Sequence, residues 1–349
     1  MYRVHMLPAE YGDSLLIEFG SSTKPKRILI DAGTPGAWPA VKKKLESIPK
    51  SERAFELLVV THIDADHIGG VLPLFDEAKD LGITFKDVWF NGYQHLIEDD
   101  DLLGAKQGEQ LSARIESGRY PWNKAFAEHA VVVPDEGDLP EIDAGGMKIT
   151  LLSPTRTQLV RLEEEWRKVI EAAGLVPGVG ATLEPEEIDD LLGDDEIDID
   201  QLAESRFKSD AAKANGSSIA FVASYGGHSV LFGADAFPGV LTSSLARLSA
   251  EDRDKIAMAK LPHHGSRNNT SLDLVKALAS ERFLVSTNGK RFRHPDRESV
   301  ARVIQRGGKP TILFNYRTDL NECWDDRDLK RAHQYKAEFG ESGELTIDV

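Results

Sequence analysis

Short apolar runs, separated by glycine, proline and small polar residues, dominate the first part of the chain. Tyr2–Leu7, Ser14–Phe19 and Arg27–Ile30 have strand length and composition, with Gly12-Asp13-Ser14 and Ser21-Ser22-Thr23-Lys24-Pro25 as the turns between them. Leu57-Leu58-Val59-Val60 is a further strand. Helical spacing predicts helices at Trp38–Ile48, Leu72–Leu81 and Asp296–Arg306. More strands are expected at Asp87–Phe90, Ala130–Val133, Met147–Leu152, Ile219–Ser224, Ser229–Phe232, Ser280–Ser286, Thr311–Asn315 and Glu344–Val349. Strands mixed with helices point to the α/β class. No repeat of solenoid length is present.

One stretch breaks this pattern. Across residues 156–213, Leu159–Ala173 is charged with a helical period, and Glu184–Asp200 is strongly acidic. We read 156–213 as a helical insertion within a single domain spanning 1–349. A block of like charge is ordinarily a solvated face, and docking of a protein partner is the other role open to it.

Composition narrows the options. The chain has 349 residues, 41% of them hydrophobic, enough for a large core. A formal charge of −16 disfavours broad coating of nucleic acid or anionic membrane, while leaving room for a local basic lip. The single cysteine, Cys323, excludes an internal disulfide framework and cysteine-rich zinc modules. No apolar stretch has the length of a membrane span, and no signal-peptide pattern opens the chain. A cytoplasmic protein that does not engage membrane is the expectation.

The chemistry concentrates in Val59–Gly70, Val-Val-Thr-His-Ile-Asp-Ala-Asp-His-Ile-Gly-Gly. Just past a buried strand, four metal-binding side chains follow: His62, Asp64, Asp66 and His67. The first three alternate along an extended segment and can project to one side. The bland reading is a polar loop capping the next helix. It weakens because three other apolar segments also end in candidate ligands: Asp31, Asp235 and His263-His264. Imidazoles bind divalent cations, carboxylates offset their charge, and a shared carboxylate can hold two ions about 3.5–4 Å apart. Such a pair acidifies water and makes a hydroxide nucleophile available near neutral pH. His95 follows another strand, but a lone histidine is more often a core or surface residue.

His62-Ile-Asp64-Ala-Asp66-His67, with Asp31 before it and Asp235 and His263-His264 after it, resembles the metallo-β-lactamase superfamily. The resemblance spans Gly12-Asp13-Ser14 to His294-Pro295, apart from the insertion. Within the superfamily the chain looks most like the hydrolase domain of ComEC-type competence proteins and their soluble relatives. The shared features are Gly-Asp-Ser, Asp64 in place of a usual histidine, Asn215 with Ser217-Ser218, Pro-His-His-Gly-Ser and the late His-Pro. The resemblance implies a four-layer αβ/βα sandwich with two divalent ions, zinc or manganese, at one sheet edge. It gives His62 and Asp64 to one ion, and Asp66, His67 and either His263 or His264 to the other. Asp235 would bridge them, and Asp31 would orient a ligand histidine from behind. Asn215 stands where the superfamily usually offers a histidine, so the first ion would have an oxygen-rich site, which favours manganese or a loosely held metal.

Lys290, Arg291, Arg293, Arg297, Arg302 and Arg306 cluster around His294. A positive lip beside a dimetal centre suits a phosphodiester, with Lys290, Arg291 and Arg293 as candidate phosphate contacts. The alternative for these residues is a solvated helix face. The leading expectation is a phosphodiesterase or nuclease in which His264 or His294 protonates the leaving oxygen. A carboxylic ester, thioester or lactone hydrolase is the second reading, and a regulatory protein with a degenerate metal site the third.

Overall fold

Alternation along the N-terminal strands sorts side chains onto two faces of a sheet. Ile17, Ile28, Ile30, Leu57 and Val59 join one core, while Leu16, Leu29 and Leu58 join another. The computed structural model describes residues 1–96, 106–172 and 197–349. Its strands are β1 (Tyr2–Met6), β2 (Leu15–Gly20), β3 (Pro25–Ile30), β4 (Ala54–Phe55), β5 (Leu57–Val59), β6 (Thr84–Phe85) and β7 (Val88–Trp89) in the first part of the chain. β8 (Glu141–Ala144), β9 (Met147–Ser153), β10 (Ala220–Tyr225), β11 (His228–Phe232) and β12 (Ile256–Lys260) follow. β13 (Arg282–Val285), β14 (Thr311–Phe314), β15 (Lys336–Phe339) and β16 (Leu345–Asp348) complete the set.

Two large sheets result. One has the order β16-β1-β2-β3-β5-β7, and the other β15-β14-β13-β12-β11-β10-β9-β8. Each is antiparallel at one side and parallel at the other: β3, β5 and β7 run parallel, as do β11 through β15. Side chains of both sheets share one apolar core, which also takes in Leu241 and Leu245, Leu274 and Val275, and Val300 and Val303 from helices Pro238–Leu245, Leu272–Ala277 and Arg297–Gln305. The other face of the first sheet is covered by helices Trp38–Glu46, Val71–Leu81 and Lys106–Ser117. This is the mixed α/β arrangement expected of the superfamily fold.

Two local expectations need correction. Ala130–Val133 is not a strand. The Asn91 side chain takes the place of a neighbouring strand there: Val131 N–H donates to Asn91 Oδ1 at 2.8 Å and Asn91 Nδ2 donates back to the Val131 carbonyl at 2.9 Å. Arg302 and Arg306 do not belong to a solvated basic lip. Arg302 is buried and donates to the carbonyls of Arg267 and Thr270, and Arg306 donates to those of Ser280 and Leu278. Both guanidiniums tie loop carbonyls to helix Arg297–Gln305.

The ends of the 156–213 stretch are embedded in the fold. Leu159, Leu162 and Trp166 of helix Arg156–Ala172 pack into the first sheet's helical layer. Ile199 and Ala203 of helix Ile199–Ala203 join the core shared by the sheets. Most of the acidic run, and with it the expected docking surface, lies outside the described residues. Among the described residues no helix is long and apolar enough to cross a membrane.

Candidate metal centre

Parallel strands deliver their C-terminal ends to one rim of the two sheets. β3 runs into Asp31, β5 into Thr61 and His62, β11 into Asp235, and β12 into His263-His264. The short helix Ala65–Ile68 carries Asp66 and His67 back over the strand end. Non-glycine residues in the left-handed region gather here: Asp31 (φ 53°), Ala234 (φ 45°), His263 (φ 47°) and His264 (φ 53°). Each such residue costs about 1 kcal/mol or more, a strain that concentrates where side-chain aim matters.

The donors converge on Asp235. Its Oδ2 lies 3.8 Å from His62 Nε2, 3.4 Å from His67 Nε2, 3.8 Å from His263 Nε2 and 3.8 Å from His264 Nε2. His264 Nε2 is 3.4 Å from Asp66 Oδ2 and 3.3 Å from His67 Nε2. Two groups have ligand atoms mutually within 4.8 Å: His62, His67 and Asp235, and Asp66, His67 and His264. All five residues are buried. Asp64 stands at the rim, with its side chain 43% exposed and its Oδ2 3.6 Å from His62 Nε2, outside both groups.

Behind the donors sits an outer layer that fixes each ring. His67 Nδ1 donates to Asp31 Oδ2 at 2.9 Å. Thr61 donates to the same carboxylate through its N–H and its hydroxyl, and its Oγ1 is 3.0 Å from His62 Nδ1. His264 Nδ1 donates to the Ser286 carbonyl at 2.9 Å and faces Asp13 Oδ1 at 3.4 Å. Asp13 is in turn 2.5 Å from the buried Lys260 ammonium. Gly12 makes this approach fit, because a Cβ there would fall 1.7 Å from the Asp66 carbonyl oxygen. His263 Nδ1 lies 2.9 Å from Asn269 Oδ1 and 3.6 Å from Asp210 Oδ2. Asn215 donates to Asp210 at 2.7 Å and stands beside His263 rather than among the converging donors. Thr61, Lys260, Asp210, Ser286 and Asn269 escaped the sequence reading. Lys260 alone left a signal, a charge inside an apolar strand.

Charge follows geometry. Burial works against the imidazolium of His67, yet the carboxylates of Asp235 and Asp31 hold its pKa well above the usual range. The same opposition, with Asp235 and Asp210 as the main anions, pushes His263 up to about 9. Burial would raise the Asp66 and Asp235 carboxyls, but the surrounding histidines keep both below the ordinary value. His294 goes the other way: burial lowers its pKa despite Asp296 at 3.4 Å. Its ring lies edge-on to His263, with centroids 5.1 Å apart. His95 is also lowered, to about 4, by burial, and packs on Trp122 instead of joining the donors.

The donor set fits a divalent cation. Histidine Nε2 atoms face one another, and buried His62 Nε2 and Asp235 Oδ1 have no hydrogen-bond partner, so a cation would satisfy atoms that the protein does not. Nitrogen and carboxylate oxygen without sulfur suit a hard or borderline divalent ion.

A family model of the metallo-beta-lactamase superfamily matches residues 7–289. No curated protein sequence matches the chain. Solved structures with a similar arrangement include the metallo-beta-lactamase fold protein YhfI from Bacillus subtilis, at 12% identity over 99% of this chain and 98% of that one, with a TM-score of 0.43. Zn(2+)-bound PqqB from Methylobacterium extorquens is similar at 10% identity over 99% and 100%, with a TM-score of 0.42. A diphosphatase of the PhnP family is similar at 11% identity over 99% and 98%, with a TM-score of 0.39.

Proposed function

Since this chain belongs to the metallo-beta-lactamase superfamily, we propose that it is a metal-dependent hydrolase of phosphodiesters. The hydrolase reading is carried by four histidine Nε2 atoms converging on Asp235 Oδ2. His62 and Asp235 would hold one divalent ion, and Asp66, His67 and His264 a second, because His67 Nδ1 is committed to Asp31 and its one free nitrogen, Nε2, can serve only one ion. Bound ions supply Lewis acidity and an activated water. The protein's own residues do the rest. Asp31 and Thr61 lock the His67 and His62 rings, and Asp13 and Ser286 lock His264, so the donors need little reorganisation.

His264 is fully buried and faces Asp66 and His67, which supports reading it as a metal ligand. His263 keeps 20% of its side chain exposed and turns Nε2 toward Asp235. His294, 3.4 Å from Asp296, is our donor of a proton to the leaving oxygen, a role in which a bound anionic substrate would offset the burial that lowers its pKa. The substrate class rests on the lip. Lys290 and Arg293 are exposed and Arg291 half-buried, and no carboxylate among the described residues pairs with any of them, in a chain of charge −16. Cations without a carboxylate partner, on the loop that leads into His294, favour an anionic phosphodiester.

The test is hydrolysis of bis-p-nitrophenyl phosphate and p-nitrophenyl acetate by protein stripped of metal and reloaded with zinc or manganese. Metal-dependent phosphodiester cleavage that disappears in Asp66→Ala is the expected result. Ester cleavage alone would replace the proposal with the carboxylic-ester reading, and silence on both with under one metal per chain would leave a degenerate site.

A further inference from the structure

Beside the donors, an aromatic and cationic cluster is built from two loops. Val160, Phe207 and Phe292 are the large hydrophobic residues left exposed among the described ones, and Phe292, 41% exposed, is at the centre. Its ring stacks on His294 with centroids 6.3 Å apart, and His294 abuts His263. Tyr11 meets Phe292 edge-on at 5.8 Å. The Arg291 guanidinium lies over both rings, 5.8 Å from the Tyr11 centroid and 5.2 Å from that of Phe292.

Both loops are pinned. Asn288 N–H donates to the Glu10 carbonyl at 2.8 Å, and Arg293 N–H to that of Gly289 at 3.1 Å. Tyr11 precedes the Gly12-Asp13 turn, whose Asp13 N–H donates to the Asp66 carbonyl. The cluster is therefore held in fixed relation to the donors. An exposed phenylalanine by itself is unremarkable in a folded protein. Here it is two ring contacts from His263, roofed by a guanidinium and flanked by the unpaired cations Lys290 and Arg293.

We propose that Tyr11, Arg291 and Phe292 form a stacking platform for an unpaired nucleobase whose own phosphodiester sits at the metal centre. This deepens the phosphodiesterase reading and rests on it. The division of labour follows from chemistry. Arg291, committed to the rings, offers a flat delocalised cation on which a base can stack, while Lys290 and Arg293 remain for phosphate oxygens. An inorganic polyphosphate has no use for the aromatic surface, and a carboxylic ester none for the cations. A base inside a duplex already has both faces covered, so the substrate is a nucleotide, a single strand or a frayed end.

The experiment is anisotropy binding of a labelled, cleavage-resistant phosphorothioate hexathymidylate against an abasic phosphorothioate hexamer of equal charge. Stacking on one platform should give about a tenfold preference for the base-bearing strand. Phe292→Ala should bring that ratio to about one without changing abasic binding, and Phe292→Trp should restore it. A ratio of one in the wild type, or an unchanged ratio in Phe292→Ala, overturns the platform. If metal-reloaded wild type still cleaves bis-p-nitrophenyl phosphate in that case, the phosphodiesterase reading survives; absence of that cleavage sinks the reading itself, whatever the ratio.

Discussion

Lys260 is the most exacting residue to perturb. Its ammonium and the Asp13 carboxylate are both buried, 2.5 Å apart, with side-chain exposures of 0% and 2%. Asp13 belongs to the loop after β1 in one sheet and Lys260 ends β12 in the other, so the pair fastens the two halves behind His264. In Lys260→Met the carboxylate stays buried without its counter-charge, which costs about 3–5 kcal/mol. Asp13→Asn/Lys260→Met removes both charges, and a neutral pair of similar volume should cost no more than about 1–2 kcal/mol. Urea unfolding in the presence of a chelator measures this without metal linkage.

The pH dependence has a definite sign. Burial alone would raise the Asp13 pKa, but the charges of Lys260 and His264 hold it below its ordinary value of 3.8. A depressed folded pKa gives stability that is present above about pH 4 and lost as pH falls through the folded value. In Lys260→Met burial dominates, the folded pKa rises, and the penalty of the mutation shrinks on acidification. A single-mutant cost under about 1 kcal/mol, or a double mutant as damaged as the sum of the singles, refutes the reasoning.

Other outcomes follow from the same geometry. Asp235→Asn should lower metal bound per chain, read by elemental analysis, and cut hydrolysis at least about a hundredfold, since it removes the anion common to four histidines; wild-type metal content would contradict this. Zinc loading should release protons, because the buried carboxylates around them raise the pKa of His67, His264 and His263, the last to about 9, and so favour the imidazolium that a metal must displace. Apparent affinity should then climb with pH toward 9, and calorimetric heats that do not depend on buffer ionisation would argue otherwise. Glu18 accepts from His5 and Arg27, which together hold it near 2 despite partial burial. Its contribution is present above about pH 4.5 and fades as pH falls toward 2. Glu18→Gln should therefore cost about 1 kcal/mol at pH 7 and nothing near pH 2, measured by chemical unfolding.

The sequence showed the centre more clearly than its supports. Asp31, the His62–His67 stretch, Asp235 and His263-His264 stood out because each couples an apolar strand to metal-binding side chains in a few residues, and both signals are local. What stayed hidden depends on distant partners. Lys260 shows in the sequence as a charge in an apolar strand, but its role is legible only with Asp13 in view, 247 positions away. Arg302 looked like a surface cation until the carbonyls of Arg267 and Thr270 were placed around it. Ala130–Val133 has strand composition, yet its hydrogen bonds go to a side chain. Helix Pro238–Leu245 has the sequence Pro-Gly-Val-Leu-Thr-Ser-Ser-Leu, poor in helix formers, and is held by Leu241 and Leu245 in the core.

The outer layer also ranks the two donor groups. A carboxylate stands behind each of three imidazoles: Asp31 behind His67 at 2.9 Å, Asp13 behind His264 at 3.4 Å and Asp210 behind His263 at 3.6 Å. His62 has the neutral Thr61 hydroxyl instead, at 3.0 Å. A carboxylate behind an imidazole raises its basicity and fixes its tautomer, and losing such support typically weakens metal binding about 10–100-fold. Both histidines of the Asp66–His67–His264 group have that support, but His62, the imidazole left to the ion at Asp235, does not. The ion at His62 and Asp235 should therefore be held more weakly. Chelator titration of fully loaded protein, followed by elemental analysis, should remove metal in two steps separated by about a factor of ten or more. Thr61→Ser, which keeps the hydroxyl, should leave the gap in place, whereas His62→Ala should abolish the weaker step and spare the tighter one. Release of both ions in one step from the wild type would show that the layer behind the histidines does not set their affinities.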